Sequence, residues 1–386
     1  MISQGEIKKF SSIETPFYFY DINLLKKTLS EYVSFLDKYG YEGHYALKAN
    51  AEPKILEIIK DYGFGADCVS GNEVDLAIKS GFPAEKIFFA GVGKTDKEIK
   101  NALGYDIGCF NCESIQEMEV LNEIAGKMGK MAGVALRINP DIDAHTIKYI
   151  STGMDSNKFG ISEYMFDEAI KTLKKSDNIV LKGLHFHIGS QITDMKVFEL
   201  LCSRVTEIEK TFTSNGLEIK NIDLGGGLGI DYENPEENPI ADFKSFFETI
   251  HANLNTKPGQ IVHFEPGREL VAQCGSLISR VLYIKKGKRR KFAIIDAGMN
   301  DLIRPALYHA RHNIVNITSE EGRKTRYDVV GPICESSDKF ATACMLYPTE
   351  RGDMLEIKSA GAYGQTMGMR YNQKDLAKAY YSDDAE

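Results

Sequence analysis

Several residues of this chain have unusual chemistry for the places they occupy. In GHYALKANAEP an apolar, strand-like run, His44–Leu47, ends on Lys48. A buried ammonium is costly unless it is paired or neutralised. Lys48 therefore either reaches solvent or is held where a covalent bond to its nitrogen is useful. Asp67 sits in GADCVS, Asn139 closes LRINP, and His185 and His187 fall in HFHIGSQ. Three glycines open GGGLG at 225–229, and Glu265 leads into Pro266, Gly267 and Arg268 in FEPGRE. Each has an ordinary reading alone: a lone histidine packs in a core, a triple glycine turns the chain, a carboxylate before Pro-Gly ends a loop. Their joint occurrence needs another account.

Glycine amides without side chains suit a phosphate. Arg268 can add a charge-assisted bond to an anion. A lysine forms a Schiff base with an aldehyde, a histidine lies flat against an aromatic ring, and a carboxylate keeps a pyridinium nitrogen protonated. Lysine, phosphate cradle and carboxylate partner together describe a pyridoxal 5'-phosphate site.

Such residues need a scaffold that brings strand ends together. Candidate strands are His44–Leu47, Gly65–Val69, Lys86–Ala90, Asp106–Phe110, Gly133–Ile138, Val180–His187, Asn221–Leu224 and Gln260–Glu265, separated by amphipathic stretches such as NEVDLAIKSG and SIQEMEVLNEIAGKMG. Alternating strands and helices predict parallel βα units, and eight of them predict an α/β fold of the (β/α)8 TIM-barrel type over residues 23–266. An open doubly wound sheet is the weaker reading, because no GxGxxG opens a helix after an early strand. In such a barrel, functional residues gather at the carboxyl ends of the strands, where the unusual residues fall. After Gly267 the texture changes. VLYIKKGKRRKFAIIDAG reads as a hairpin, and TRYDVVGPICESSD and DMLEIKSAGAYG as short β runs. A mostly β domain is expected over 267–386, joined by residues 1–22 with the strand TPFYFYD.

The 386 residues carry a net charge of −8, which disfavours nucleic acid and anionic membrane as partners. The start, MISQGEIKKFSSIETP, lacks the apolar centre of a signal peptide, and no apolar run approaches the ~20 residues of a membrane span. A cytoplasmic protein is expected. Seven scattered cysteines do not suit a disulfide framework. Cys109 and Cys112 form a lone CxxC without a second pair at zinc spacing, so no metal is expected.

YALKAN, HFHIGSQ, GGGLGI, EPGREL, GPICESSD and GAYG, in that order, resemble the alanine-racemase-like (fold-type III) pyridoxal-phosphate decarboxylases. YISTGMDSNKFG and DAGMNDLIRPALYHA resemble the branch acting on meso-diaminopimelate, which releases carbon dioxide and L-lysine, the last step of lysine biosynthesis. The resemblance implies the following roles. Lys48 is the Schiff-base lysine and His187 stacks on the cofactor ring. Ser190, Gly226 and Gly227 bind phosphate, while Glu265, Pro266, Gly267 and Arg268 complete the cofactor site with Asp67 and Tyr363. Glu265 is the pyridinium partner. Cys334 donates a proton across the interface of a homodimer whose active sites are shared between chains. Arg268, Arg304, Tyr308, Glu335 and Tyr363 bind substrate, with Arg268 open between phosphate and substrate. A substrate end bearing both a carboxylate and an ammonium needs an arginine and an acid, which Arg304 and Glu335 supply. Other readings are a decarboxylase of ornithine, arginine or carboxynorspermidine, a racemase, or a non-catalytic pyridoxal-phosphate carrier.

Overall fold

Short buried strands alternating with capped helices fold here into a closed ring. The computed structural model describes residues 2–142 and 158–384. Strand β1, Phe17–Tyr20, belongs to a second unit. The next eight are β2 (Glu42–Ala46), β3 (Gly65–Cys68), β4 (Ile87–Phe89), β5 (Cys109–Cys112), β6 (Ala132–Ile138), β7 (Ile179–Phe186), β8 (Asn221–Asp223) and β9 (Ile261–Phe264). They pair in chain order, all parallel, and β2 closes on β9 with Glu42 opposite His263. Strands such as GADC and CFNC are buried at every position, as expected for a parallel sheet covered by helices.

Local sequence sets where those helices begin. Ser70, Ser114 and Asp242 accept backbone N–H bonds from Glu73, Glu117 and Ser245, and Thr95 forms a reciprocal capping box with Glu98. Each such cap contributes about 1 kcal/mol. The helix Phe166–Lys175 buries Phe166, Ala169, Ile170 and Leu173, one face at helical spacing.

The barrel bears out the expected class and all eight strands, with shifted ends. The expected strand Asp106–Phe110 is instead β5, Cys109–Cys112. Asp106 takes a left-handed φ of 56° and donates its N–H to Leu103, so the turn leaving the helix Asp96–Gly104 uses up the start of that run. Lys48 is not the last residue of a strand but lies in a single 3-10 turn, Leu47–Ala49. His187 lies one residue past β7.

The second unit is a sheet of β1, β10 (Gly275–Lys286), β11 (Lys291–Ile295), β12 (Ile314–Asn316), β13 (Thr325–Val330), β14 (Lys339–Leu346), β15 (Met354–Ile357) and β16 (Lys378–Tyr381). As expected, β1 joins it, antiparallel to β10 with Phe17 opposite Ile278, and β10–β11 is the basic hairpin, Lys286 opposite Lys291. Phe10, Phe17, Phe19, Ile278, Ile317 and Met354 form one of its apolar clusters. The barrel unit comprises Leu29–Gly229 and Asp242–Gly267, and the β unit Met1–Thr28, Ile230–Ala241 and Arg268–Glu386. The segment 230–241, expected within the barrel domain, thus groups with the β unit. Among the described residues no helix is long and apolar enough to cross a membrane. Residues 149–157 of the YISTGMDSNKFG motif lie outside the described residues.

Candidate active site

Glu265 follows β9 and accepts two side-chain hydrogen bonds inside the barrel. His185 donates Nε2–H to its Oε2 at 3.1 Å, and the Asn111 amide donates to Oε1 at 3.3 Å. Burial alone pushes this carboxyl up. The charge interaction and hydrogen bond of His185, with Lys48 and His187, outweigh it and hold Glu265 well below the usual carboxylate range. Asp223, at the end of β8, goes the other way: burial and then the Glu265 charge push it well above the usual carboxylate range. Its Oδ1 accepts the Gly225 N–H at 2.9 Å. One polar atom each from His185, Asp223 and Glu265 lie within 4.8 Å of one another.

Asp67 lies beside Lys48. The Lys48 Nζ lies 3.6 Å from its Oδ2, on a side chain 37% exposed. Burial, then Glu265, push Asp67 up to about 8, against the pull of Lys48. Neither Asp67 oxygen has a hydrogen-bond partner among the described residues. His187 accepts the Gly226 N–H on Nδ1 at 3.3 Å. Burial, then Lys48 and Arg137, hold it well below its usual value, leaving a neutral ring. Arg137 itself is tied to Glu113 at 2.8 Å.

The glycine run is required by close backbone approach. A Cβ on Gly226 would lie 2.2 Å from the Glu265 carbonyl, and one on Gly227, at φ 117°, 2.4 Å from the Gly189 carbonyl. Backbone bonds from Ile192 to Gly227 and from Gly229 to Ile192 strap this loop to the one carrying Ser190. The barrel therefore brings Lys48, Asp67, His187, Ser190, Gly226, Gly227 and Glu265 to the strand ends. An anionic Glu265, a neutral imidazole and a glycine loop free of side chains fit a phosphorylated pyridine aldehyde, with Asp67 paired to Lys48 beside them.

The β unit holds a second cluster. Arg268 donates to the Tyr232 hydroxyl at 2.6 Å and lies 4.9 Å from the Tyr363 ring centre. Arg304, only 6% exposed, lies 4.9 Å from the Tyr232 ring centre and donates to His312 Nε2 at 2.9 Å. Among the described residues no carboxylate is within ion-pair distance of Arg304. Tyr308 ends the short helix Arg304–Tyr308 and is half-buried. Cys334 and Glu335 lie in an exposed turn: the Cys334 N–H goes to Asn372 and the Tyr371 hydroxyl donates to Glu335 at 2.6 Å. Within the chain neither makes a hydrogen bond or ion pair with Arg304, so the expected arginine–acid pair is not joined there.

The pyridoxal binding domain of the pyridoxal-dependent decarboxylases matches residues 24–272. A diaminopimelate decarboxylase from Bacteroides thetaiotaomicron is 54% identical over 379 residues, which cover 98% of each chain. The chain belongs to the diaminopimelate decarboxylase family. The crystal structure of the family member from Helicobacter pylori complexed with L-lysine superposes with a TM-score of 0.91 at 40% identity, covering 97% of this chain and 93% of that one. A lysine/ornithine decarboxylase from Vibrio vulnificus complexed with putrescine, at 22% identity and a TM-score of 0.85, shares the fold. As a family member the chain is a pyridoxal-phosphate-dependent carboxy-lyase.

Four residues of these clusters escape the sequence reading: Asn111, Asp223, Tyr232 and His312. Asn111 and Asp223 are polar residues inside otherwise apolar strands, CFNC and NID, and that contrast was the available signal. Tyr232 and His312 sit in loops whose sequence carries no such contrast.

Proposed function

We propose that the chain decarboxylates meso-diaminopimelate to L-lysine and carbon dioxide. The observation that carries this reading is Arg304, a buried guanidinium with no anionic partner among the described residues, beside the equally buried Arg268. A pocket for a simple diamine precursor such as ornithine needs no such cation. A substrate with a second carboxylate does.

When bound, pyridoxal phosphate supplies the electron sink for the bond that breaks. Glu265, held anionic, would accept a hydrogen bond from the protonated ring nitrogen and so keep it protonated. His187 offers a flat neutral face to the ring. Ser190, Gly226 and Gly227 hold the phosphate, with Pro266, Gly267 and Tyr363 completing the cradle. Lys48 holds the cofactor covalently, with Asp67 as its neighbour. Arg304 takes the distal carboxylate and Glu335 the distal ammonium, with Tyr308 and Tyr363 beside them. Arg268 serves phosphate or substrate. The Cα–carboxylate bond breaks, carbon dioxide leaves, and a proton from Cys334 restores the carbon; the thiol regains its proton from solvent.

A proton donor to a carbanion works best shielded from water, yet Cys334 is exposed in its own chain. A second copy covering it is the arrangement that reconciles the two, so the working unit in this reading is a homodimer with shared sites. The test is carbon dioxide release from a panel of amino acids by protein loaded with pyridoxal phosphate. Turnover of meso-diaminopimelate in preference to ornithine, arginine and lysine is expected; preference for any of these three overturns the reading.

A further inference from the structure

We infer that His312, braced by Tyr232, is a positioning residue that aims the Arg304 guanidinium at a substrate carboxylate without neutralising it. This rests on the reading that Arg304 takes the distal carboxylate.

The hydrogen bonds of the His312 ring fix its tautomer. His312 Nδ1 lies 2.9 Å from the Lys358 carbonyl, which can only accept, so Nδ1 bears the proton. In a neutral imidazole Nε2 is then an acceptor, and Arg304 Nη1 donates to it at 2.9 Å. Burial, then the Arg304 charge, pull His312 down to about 3, which keeps the ring neutral. The anchor is itself fixed. The Lys358 N–H donates to Asn313 at 2.9 Å, and its ammonium pairs with Glu236 and with Glu356. Tyr232 packs edge-on to the His312 ring, 5.2 Å between centres at 81°, while Arg304 lies against its face. A carboxylate in place of His312 would orient Arg304 equally well but cancel its charge. An imidazole orients the guanidinium and leaves the full charge for a ligand.

The test uses protein loaded with pyridoxal phosphate and two probes, L-lysine and cadaverine. Loss of one carboxylate from meso-diaminopimelate leaves lysine holding the other, and cadaverine is lysine without it. By calorimetry His312→Phe should weaken L-lysine at least about ten-fold and cadaverine less than about two-fold, and raise KM for meso-diaminopimelate more than it lowers kcat. His312→Gln, whose amide oxygen can accept from Arg304, should restore most of the loss. Should His312→Phe fail to fold, His312→Asn, too short to reach Arg304, makes the same comparison. Equal weakening of both probes, or of neither, overturns the inference. Arg304→Ala separates the two levels. Selective loss of L-lysine there but not at position 312 overturns only the role of His312. No selective loss with Arg304→Ala overturns the reading beneath it.

Discussion

His185 donates to Glu265 across 3.1 Å of barrel interior, and both side chains are almost wholly buried. The bond ties a strand-interior histidine to the acid that faces the cofactor nitrogen in the proposed site. His185 is also a principal cause of the low position of Glu265, since burial alone would push that acid up. Replacing His185 by Phe should leave Asn111 as the one hydrogen-bond donor of the pair, and Glu265 should rise toward the neutral range. Glu265 would then take up a proton as pH falls through its raised value, so the acid limb of kcat/KM should move to higher pH. A charge-assisted bond lost in a buried site costs about 1.5–3 kcal/mol, or roughly 10- to 150-fold in kcat/KM. A pH profile unchanged in position would show that other groups set the charge of Glu265.

Lys48 gives a more direct test. It lies in a 3-10 turn at the end of β2 with Asp67 at 3.6 Å. Purified protein should be yellow, and borohydride should fix the cofactor on Lys48, read by mass spectrometry of the digested chain. Label on Lys54 or any other lysine would remove the central residue of the proposed site.

The parts of the molecule legible in sequence are those set by local pattern. The eight barrel strands show as short apolar runs between helical periods, and β1 as TPFYFYD ahead of the first barrel helix. Lys48, His187 and Glu265 stand out because a charged or polar side chain closes an apolar run. Asp106 marks where such reading stops. It looks like part of a strand, but the preceding helix needs it in a left-handed turn. Tyr232 and His312 were invisible for another reason. Eighty residues separate them, and their meaning arises from a ring contact and a shared arginine, which no local period encodes.

Buried neutral histidines, His44, His263 and His312 among them, make the fold sensitive to mild acid. His44 is pulled down to about 4, and His263 and His312 each to about 3, by burial first in every case. The unfolded chain takes up these protons below pH ~6.5, while the folded chain resists until the lower values. Each histidine therefore contributes stability above pH ~6.5 that is lost as pH falls toward 4, by up to ~1.4 kcal/mol per pH unit. Asp67, raised to about 8, works in the opposite direction over the same window, so the total slope alone does not isolate the effect. Urea unfolding of the cofactor-free protein at pH 7, 6 and 5 should therefore be compared with His263→Gln. The variant should lose less stability on acidification than the parent chain. Equal losses would mean that His263 titrates normally in the folded state.

Whether Cys334 serves its own chain or a neighbour can be decided by mixing two inactive proteins. Cys334 lies exposed in a turn of the β unit, and Lys48 at a strand end of the barrel. One variant carries Lys48→Ala, the other Cys334→Ala. If each site takes its lysine from one chain and its thiol from the other, a mixed dimer has one site with both defects and one with neither. If each site lies within one chain, both sites of the mixed dimer are defective. Random exchange at equal concentrations makes half the dimers mixed, so the shared arrangement should restore roughly a quarter of the parent activity, as expected for a two-fold symmetric dimer. Exchange must be verified independently, for example by differently tagged chains co-purifying. Verified exchange without recovery would place Cys334 in the site of its own chain and remove the argument for shared sites.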